Sequence, residues 1–301
     1  MTTFWTHPER AVASDGETIF YRVHGAHHGG PPMLLYPGLV SSMAHWPFFV
    51  EHFAKRMKVV SWDYRGHGGS PLPRDLDTIA IERFADDGAT VLAAAGGGPA
   101  VLVGLSFGVQ VALEHVRRHP RDLNTLILLC GTDGHPLDRI SKAGWLRSAA
   151  SSLMRGFSRS GSLGSALLGV ARAPGMRQLA YLSGGARRGM CPPDLLDAIF
   201  QHTASLDPAV VGRIVASYFQ HTARSVLPSV KAPTLIFAGD RDELTPVAAS
   251  ERMRDGIAGA ELRVFPGHSH VLQLEKPAEV HAEIDQFLGR AFGRHSGVVG
   301  A

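Results

Sequence analysis

This chain of 301 residues has few cysteines, only short apolar runs and only a small excess of one charge sign. The two cysteines, Cys130 and Cys191, are too few for a disulfide scaffold or a four-cysteine zinc site. Apolar runs such as residues 126–130 are much shorter than the roughly 18 residues of a membrane-spanning helix. Residues 1–10 contain no apolar segment of the length found in signal peptides. We therefore expect a soluble, cytoplasmic protein with no stable insertion into a membrane.

The balance of charges argues against nucleic acid as a partner. The 30 Lys and Arg residues exceed the 27 Asp and Glu residues only slightly, which gives a net charge of +3. This excess is too small to form the broad positive surface that a phosphate backbone needs. With 45% apolar and 19% charged residues, the chain can instead bury a sizeable core, and its length fits one large domain.

Short apolar runs alternate with amphipathic stretches over the first 130 residues and again after Pro228. The alternation predicts strands at residues 18–24, 33–36, 58–62, 100–104, 123–130, 234–238 and 261–265. It predicts helices at residues 47–57, 78–95, 107–119, 246–256 and 278–292. Strand, helix and strand in this order predict a parallel sheet that is covered by helices on both faces. The first predicted strand follows a Ser-Asp-Gly turn, and we expect it at the edge of the sheet.

The segment 133–227 contains no convincing strand and is rich in Leu, Ala, Arg, Ser and Gly. Because it interrupts the strand pattern, we interpret it as a helical cap over one end of the sheet. Caps of this kind line substrate pockets and act as lids. We therefore predict a core formed by residues 1–132 and 228–301, with residues 133–227 inserted as the cap.

The strongest local signal is the segment 104–108 (GLSFG), which follows a predicted strand and begins a predicted helix. The tight turn required here forces Ser106 into a strained backbone conformation. A Cβ atom at Gly104 or Gly108 would clash with neighbouring backbone. The turn therefore holds the Ser106 hydroxyl at the carboxyl end of the sheet, beside a helix N-terminus that favours developing negative charge.

A serine hydroxyl is a poor nucleophile unless a base activates it, and the base needs an acid that orients it. Asp240 and Asp242 follow the sixth predicted strand, and either one could instead cap the next helix. His268 and His270 follow the last predicted strand. The residues thus appear in the order Ser, Asp, His, with two candidates for the acid and two for the base.

Five segments of the chain resemble the signature segments of the α/β-hydrolase fold superfamily. They are residues 36–39 (YPGL), 63–70 (DYRGHGGS), 104–108 (GLSFG), 239–246 (GDRDELTP) and 270–277 (HVLQLEKP). The resemblance covers about residues 17–130 and 228–290. It implies an α/β-hydrolase fold, in which a mostly parallel central sheet carries helices on both faces and an inserted helical cap. In the second segment we expect Asp63 and Arg65 to form a structural turn.

The resemblance implies roles for the matching residues of the nucleophile and acid segments. Ser106 matches the catalytic nucleophile. Asp242 stands four residues before Pro246, as the orienting acid does in relatives, which selects it over Asp240. Asp133 is a further acid candidate, because some relatives place the acid after the preceding strand.

The resemblance also assigns the base and the oxyanion hole. His270 stands five residues before Glu275, as the catalytic histidine does in relatives, which selects it over His268. The oxyanion hole is expected to consist of two backbone N–H groups, those of Leu39 and Phe107.

Residues 36–39 resemble the oxyanion loop of the family, and one departure from the family pattern falls in this loop, where Pro37 stands at the place of a histidine in many relatives. The backbone donor of Leu39 is unaffected, but a side chain that could hydrogen-bond within the loop is lost. For the substrate pocket we predict Trp46, which follows this loop, and Trp145 and Leu146 of the cap. Apolar cap side chains of this kind more often pack between helices than contact a substrate.

A serine nucleophile favours acyl transfer, because the epoxide hydrolases and haloalkane dehalogenases of the superfamily use an aspartate there. We predict a serine hydrolase that cleaves a carboxylic ester or similar acyl substrate through an acyl-enzyme on Ser106. One alternative is a carbon–carbon bond hydrolase or perhydrolase-type relative with the same triad, and another is a non-catalytic relative that only binds a ligand. We expect a small-molecule substrate, no cofactor and no metal ion, and we leave a homo-oligomer open.

Overall fold

The computed structural model describes residues 7–41, 45–134, 161–173 and 175–296. Its strands are β1 (Glu9–Val12), β2 (Thr18–His24), β3 (Met33–Tyr36), β4 (Val59–Trp62), β5 (Ala100–Leu105), β6 (Leu123–Leu129), β7 (Thr234–Gly239) and β8 (Glu261–Phe265). They form one sheet in the order β1-β2-β4-β3-β5-β6-β7-β8. The pairs β1–β2 and β2–β4 are antiparallel, and all the other pairs are parallel. This is the mostly parallel sheet that the sequence predicts.

The α-helices of the described residues connect these strands. They are α1 (Pro47–Phe53), α2 (Ile81–Ala94), α3 (Phe107–Arg118), α4 (Ser162–Ala171), α5 (Met176–Leu182), α6 (Pro193–Ser205), α7 (Pro208–Gln220), α8 (Val247–Gly256), α9 (Leu272–Glu275) and α10 (Pro277–Ser296). None of them combines the length and the apolar character that crossing a lipid bilayer would require.

The sheet lies between two apolar layers, because successive strand residues point to opposite faces. On one face Leu34 and Leu102 pack with α2, α3, α7 and α8. On the other face Leu35 and Val103 pack with α1 and α10. Every residue of β3 and β5 is buried, as expected for central parallel strands that are covered on both sides.

The two edge strands of the sheet are β1 and β8, and the prediction of an edge strand at residues 18–24 is wrong. β2 has a neighbour on each side, β1 and β4. The four residues of β1 (ERAV) include two charged side chains, and only Ala11 is buried. A strand this short and exposed has no apolar pattern that the sequence could reveal. β1 is a strand because its main chain pairs with β2.

The helix predicted from residue 78 begins later, at Ile81. Residues 76–78 form a separate 3-10 turn, in which the carboxylate of Asp75 accepts a hydrogen bond of 2.9 Å from the N–H of Asp77. The helix predicted at residues 47–57 is also shorter and ends at Phe53. The other predicted strands and helices are present with small changes at their ends.

Between β6 and β7, the described residues contain the four helices α4 to α7. The end of this segment is fixed to the core at His221. Its Nδ1 lies 2.8 Å from Oε1 of Gln110, and its Nε2 lies 3.1 Å from Oε2 of Glu114, both on α3. The helical content agrees with the predicted insertion, whereas the division of the chain at residues 133 and 227 stays a prediction.

Candidate active site

Ser106 lies in the turn between β5 and α3 and has φ 54° and ψ −114°. This positive φ is a strained conformation for a residue with a side chain. Both neighbouring glycines are needed, as the sequence predicts. A Cβ at Gly104 would lie 2.6 Å from the carbonyl oxygen of Gly108, and a Cβ at Gly108 would overlap the carbonyl oxygen of Tyr36. The close approach of α3 to β3 and β5 therefore forces the hydroxyl of Ser106 outward at the carboxyl end of the sheet.

Three side chains from three distant segments meet at this end of the sheet. Oγ of Ser106 lies 2.8 Å from Nε2 of His270. On the other side of the imidazole, Nδ1 lies 2.8 Å from Oδ2 of Asp242. The Asp242 side chain is fully buried, whereas 13% of the His270 side chain is exposed. A buried carboxylate thus faces a partly accessible imidazole, which in turn faces the serine hydroxyl.

The orientation of Asp242 is fixed by hydrogen bonds from the segment that follows it. Oδ1 accepts from the backbone N–H groups of Leu244 and Thr245, at 2.9 and 2.8 Å. Oδ2 accepts a further hydrogen bond of 2.7 Å from the Thr245 hydroxyl, which itself lies 3.2 Å from Nδ1 of His270. Thr245 is not among the site residues predicted from the sequence. Its position directly before Pro246 in the GDRDELTP segment is the signal that could have identified it.

The other two acid candidates have different partners. Asp240 is bound at the neighbouring loop, where its Oδ1 accepts a 2.6 Å hydrogen bond from the N–H of Gly267. Asp133 is fully buried and forms ion pairs with Arg224 and Arg252, at 2.7 and 3.2 Å. The structure therefore brings neither of them to the imidazole of His270.

Glu275 fixes the loop that carries both histidines. Its Oε2 lies 3.1 Å from Nδ1 of His268 and accepts a 2.9 Å hydrogen bond from the N–H of Ser269. Its Oε1 accepts from the Ser269 hydroxyl, at 2.5 Å, and from the N–H of Arg187 in the segment between β6 and β7, at 2.7 Å. The imidazole of His268 is therefore occupied by Glu275, whereas that of His270 lies between Ser106 and Asp242.

The segment 37–40 passes directly beside the nucleophile. A Cβ at Gly38 would lie 3.7 Å from Cβ of Ser106, in ordinary van der Waals contact. Val40, two residues further on, has φ 47°. Phe107 is the first residue of α3, so its N–H is one of the helix donors without an intrahelical partner. Phe107 directly follows Ser106, and Leu39 directly follows Gly38 in the segment that passes beside it. The role of both residues as oxyanion donors stays a prediction.

Helix α6 contacts this segment through two polar residues. The Thr203 hydroxyl lies 3.2 Å from the carbonyl oxygen of Val40 and 3.0 Å from that of Ile199 within the helix. His202, next to it, donates a hydrogen bond to the backbone of Ser41. A helix of the predicted cap is thereby attached to the loop beside Ser106.

Two histidines near the site, the buried His45 and the half-buried His202, are neutral at ordinary pH. Burial lowers the pKa of His45 to about 3, and the nearby imidazoles of His270 and His202 lower it further in the same direction. One nitrogen of His45 is hydrogen-bonded to the hydroxyl of Ser41. Burial also lowers the pKa of His202. These neutral side chains add no fixed positive charge beside the candidate base. Neither histidine is among the site residues predicted from the sequence.

Of the three predicted substrate contacts, Trp46 lies in the described part of the chain. Trp46 is buried and packs edge to face on Phe49, at a centroid distance of 5.2 Å. Its role in the apolar layer with α1 is therefore clear, and contact with a substrate stays a prediction. Trp145 and Leu146 lie outside the described residues. Arg65 forms ion pairs with Asp87 and Asp15, at 2.6 and 2.8 Å, as expected of a structural turn.

Within the described parts of the chain, no three His, Cys, Asp or Glu residues are arranged to hold a metal ion. Cys130 is fully buried at the end of β6, and its thiol lies 3.8 Å from the carbonyl oxygen of Ser269. Burial raises the pKa of this thiol, so it remains protonated. The site therefore consists of a serine, an imidazole and a carboxylate in hydrogen-bonded sequence.

A family model described as the alpha/beta hydrolase family matches residues 23–283. The chain therefore belongs to the alpha/beta hydrolase family. This agrees with the sheet order, with the strained turn at Ser106, and with the family resemblance of the five sequence segments.

Three similar proteins illustrate the range of the family. A 2-hydroxymuconate semialdehyde hydrolase of Pseudomonas sp. (strain CF600) is 27% identical over 89% of this chain and 90% of its own length. A pimeloyl-acyl-carrier protein methyl ester esterase of Methylococcus capsulatus is 30% identical over 79% of this chain and 87% of its own. The solved structure of Est816, described as an N-acyl homoserine lactone degrading enzyme, is 26% identical, with a TM-score of 0.70 over 93% of this chain and all of its own.

Proposed function

We propose that this protein is a serine hydrolase that cleaves a carboxylic ester or similar acyl bond of a small molecule. The observation that carries the proposal is the continuous series of contacts from Asp242 through His270 to Ser106, at 2.8 Å in each step. These are hydrogen-bond distances that allow an imidazole to accept the serine proton directly. The similarity to an esterase and to a lactone-degrading enzyme supports the same class of reaction.

The first half of the reaction forms an acyl-enzyme. Nε2 of His270 takes the hydroxyl proton while Oγ of Ser106 attacks the carbonyl carbon. The carbonyl oxygen becomes an oxyanion, which the N–H groups of Leu39 and Phe107 stabilise. The tetrahedral intermediate then collapses, and the leaving group departs with the proton held by the imidazolium. Asp242 stabilises this imidazolium and keeps Nδ1 protonated.

Water completes the reaction by the same two steps, with water as the nucleophile and Oγ of Ser106 as the leaving group. The imidazole of His270 removes a proton from water, and the hydroxide adds to the acyl carbon. The second tetrahedral intermediate releases the carboxylic acid, and Oγ of Ser106 recovers its proton from the imidazolium. No step draws on a group other than these side chains, two backbone N–H groups and water.

A second candidate function is hydrolysis of a carbon–carbon bond by the same residues. It is favoured by the similarity to the 2-hydroxymuconate semialdehyde hydrolase, which extends over 89% of this chain. The two functions differ in the bond that is broken and in the leaving group that accepts the proton, and both use Ser106 as the reactive centre.

The test is a pair of assays on the purified protein and its Ser106→Ala variant. Short p-nitrophenyl esters report acyl transfer, and a dienoate product of aromatic ring cleavage reports carbon–carbon hydrolysis. Turnover of the esters that disappears in Ser106→Ala is the expected result. Turnover of the dienoate with no ester cleavage would favour the second candidate, and turnover that survives in the variant would contradict both.

A further inference from the structure

Tyr64 reaches the oxyanion loop from the 63–70 segment. Its phenol hydroxyl donates a 3.0 Å hydrogen bond to the carbonyl oxygen of Pro37. Tyr64 is fully buried. Pro37 has neither an N–H group nor a polar side chain, so its carbonyl is the polar group through which the loop can be fixed at this residue.

The carbonyl of Pro37 is confined from a second direction. A Cβ at Gly108, on the first turn of α3, would lie 2.7 Å from this oxygen. The peptide that follows joins Gly38 to Leu39 and carries the N–H group expected to face the oxyanion. The two peptide planes meet at the Cα atom of Gly38, so once the Pro37 carbonyl is fixed, only φ and ψ of Gly38 remain to set the direction of the Leu39 N–H. Fixing this carbonyl therefore also limits the direction of the Leu39 donor.

Tyr64 is itself held rigidly by aromatic rings. Its ring stacks on Phe84 at a centroid distance of 4.6 Å and meets Trp62 edge to face at 4.8 Å. It also meets the ring of Phe107 edge to face at 5.7 Å. Tyr64 thus contacts Phe107, which supplies one expected oxyanion donor, and the loop that supplies the other.

The protonation state suits this role. Burial raises the pKa of Tyr64 well above its ordinary value of about 10. The phenol therefore keeps its proton at neutral pH and remains a hydrogen-bond donor.

We propose that Tyr64 is a positioning residue that orients the oxyanion donor of Leu39 through its hydrogen bond to the Pro37 carbonyl. The inference rests on the proposed serine hydrolase function. Pro37 offers the loop no hydrogen-bonding side chain, and the Tyr64 phenol fixes the loop from outside. Because an oxyanion exists only in the transition state and the tetrahedral intermediates, a misdirected donor lowers kcat and leaves KM nearly unchanged.

Tyr36 provides a matched control. It is also a fully buried tyrosine, one residue before Pro37, but its hydroxyl lies 2.5 Å from Nδ1 of His115 and not at the loop. Tyr64→Phe and Tyr36→Phe therefore remove the same atom from equally buried rings. Both variants leave a buried polar partner unsatisfied, so both are expected to lose thermal stability.

The experiment compares kcat, KM and the binding of a boronic acid that forms a tetrahedral adduct with the nucleophile. Tyr64→Phe is expected to lower kcat about 10- to 100-fold, with KM within about twofold, and to weaken boronate binding by the same factor. Tyr36→Phe is expected to stay within about threefold of the parent in all three quantities. Equal kcat values in the two variants, or a loss confined to KM, would overturn the inference.

Two further measurements keep the outcome unambiguous. Incorporation of 4-aminophenylalanine at position 64 restores an N–H donor and is expected to regain most of kcat. If Tyr64→Phe does not fold, 4-fluorophenylalanine replaces it as the variant without a donor. Labelling of the parent protein by a fluorophosphonate separates the two levels of the argument. An unlabelled parent contradicts the proposed function, whereas a labelled parent with unchanged kcat in the position 64 variants contradicts only the role of Tyr64.

Discussion

His268 is bound to Glu275, with 3.1 Å between Nδ1 of the imidazole and Oε2 of the carboxylate. Two residues further along the same loop, the imidazole of His270 lies between Ser106 and Asp242. The two histidines are nearly adjacent in the sequence and have quite different surroundings. Glu275 orders the loop through His268, and this order places His270 beside the nucleophile.

The first prediction compares the two histidines. His270→Ala removes the only imidazole that contacts Ser106 within the described part of the chain, and it is expected to lower kcat at least about 1000-fold. His268→Ala leaves the general base in place, so its loss of kcat is expected to be at most about tenfold. Steady-state rates on an ester substrate measure both. The reverse ranking would show that the base is assigned to the wrong residue.

The second prediction compares the two aspartates. Asp242→Asn is expected to reduce kcat about 10,000-fold, because an amide cannot stabilise the imidazolium or keep Nδ1 protonated. Asp240→Asn keeps an acceptor oxygen for the N–H of Gly267 and is expected to retain activity within about threefold. Thermal denaturation of both variants checks that the fold persists. A catalytically normal Asp242→Asn would remove Asp242 from the mechanism.

The third prediction concerns the approach of α3 to the oxyanion loop. Gly108→Ala places a methyl group against the backbone of Tyr36 and Pro37, and it is expected to reduce the free energy of unfolding by about 3 kcal/mol or more. Gly289 is a matched control, because it lies inside α10 and a Cβ there meets no atom within 4 Å. Gly289→Ala is expected to be neutral or to stabilise the protein by up to about 1 kcal/mol. Denaturant unfolding of both variants measures the difference, and equal stabilities would contradict the close packing of α3 against the oxyanion loop.

The fourth prediction concerns acid stability. His281 on α10 packs against Phe49, Phe53 and His52, and burial, followed by the nearby His52, lowers its pKa to about 4. The Asp285 carboxylate raises the pKa of His281, and the Arg56 guanidinium lowers it. Between about pH 6.5 and pH 4, His281 therefore binds a proton in the unfolded chain but not in the folded chain. Because protons then favour the unfolded chain, this histidine lowers the stability of the fold as the pH falls towards 4.

His281→Leu removes this contribution. As the pH is lowered from 6.5 to 4, the free energy of unfolding of the variant is expected to rise relative to that of the parent by up to about 1.4 kcal/mol per pH unit. Above pH 7 the difference between the two proteins is expected to be constant. Urea unfolding at a series of pH values measures the slope. Parallel stability curves throughout this range would show that the imidazole is not kept neutral by burial.

The turn at Ser106 could be predicted from the sequence because its requirements are local. A strained turn between a strand and a helix requires glycine at residues 104 and 108, and that requirement is visible in one sequence. Asp242 and His270 were assigned by resemblance, since their neighbours Asp240 and His268 are chemically identical to them. Only the hydrogen bonds of these neighbours to Gly267 and Glu275 show why they are diverted from the site.

Other features could not be predicted from the sequence because they depend on pairing between distant segments. β1 is defined by its hydrogen bonds to β2 and not by an apolar pattern of its own. The contact of Tyr64 with Pro37 joins residues 27 positions apart through a single hydroxyl group. Neither the composition nor the spacing of the DYRGHGGS segment distinguishes this tyrosine from an ordinary core residue.

The most direct test of the central claim is covalent labelling by a fluorophosphonate, followed by intact-mass analysis and peptide mapping. The account predicts one phosphonyl adduct per chain, located on Ser106, that forms much more slowly in His270→Ala than in His268→Ala. A folded parent protein that acquires no adduct at Ser106, or acquires it equally fast in both histidine variants, would contradict the claim that His270 activates this serine.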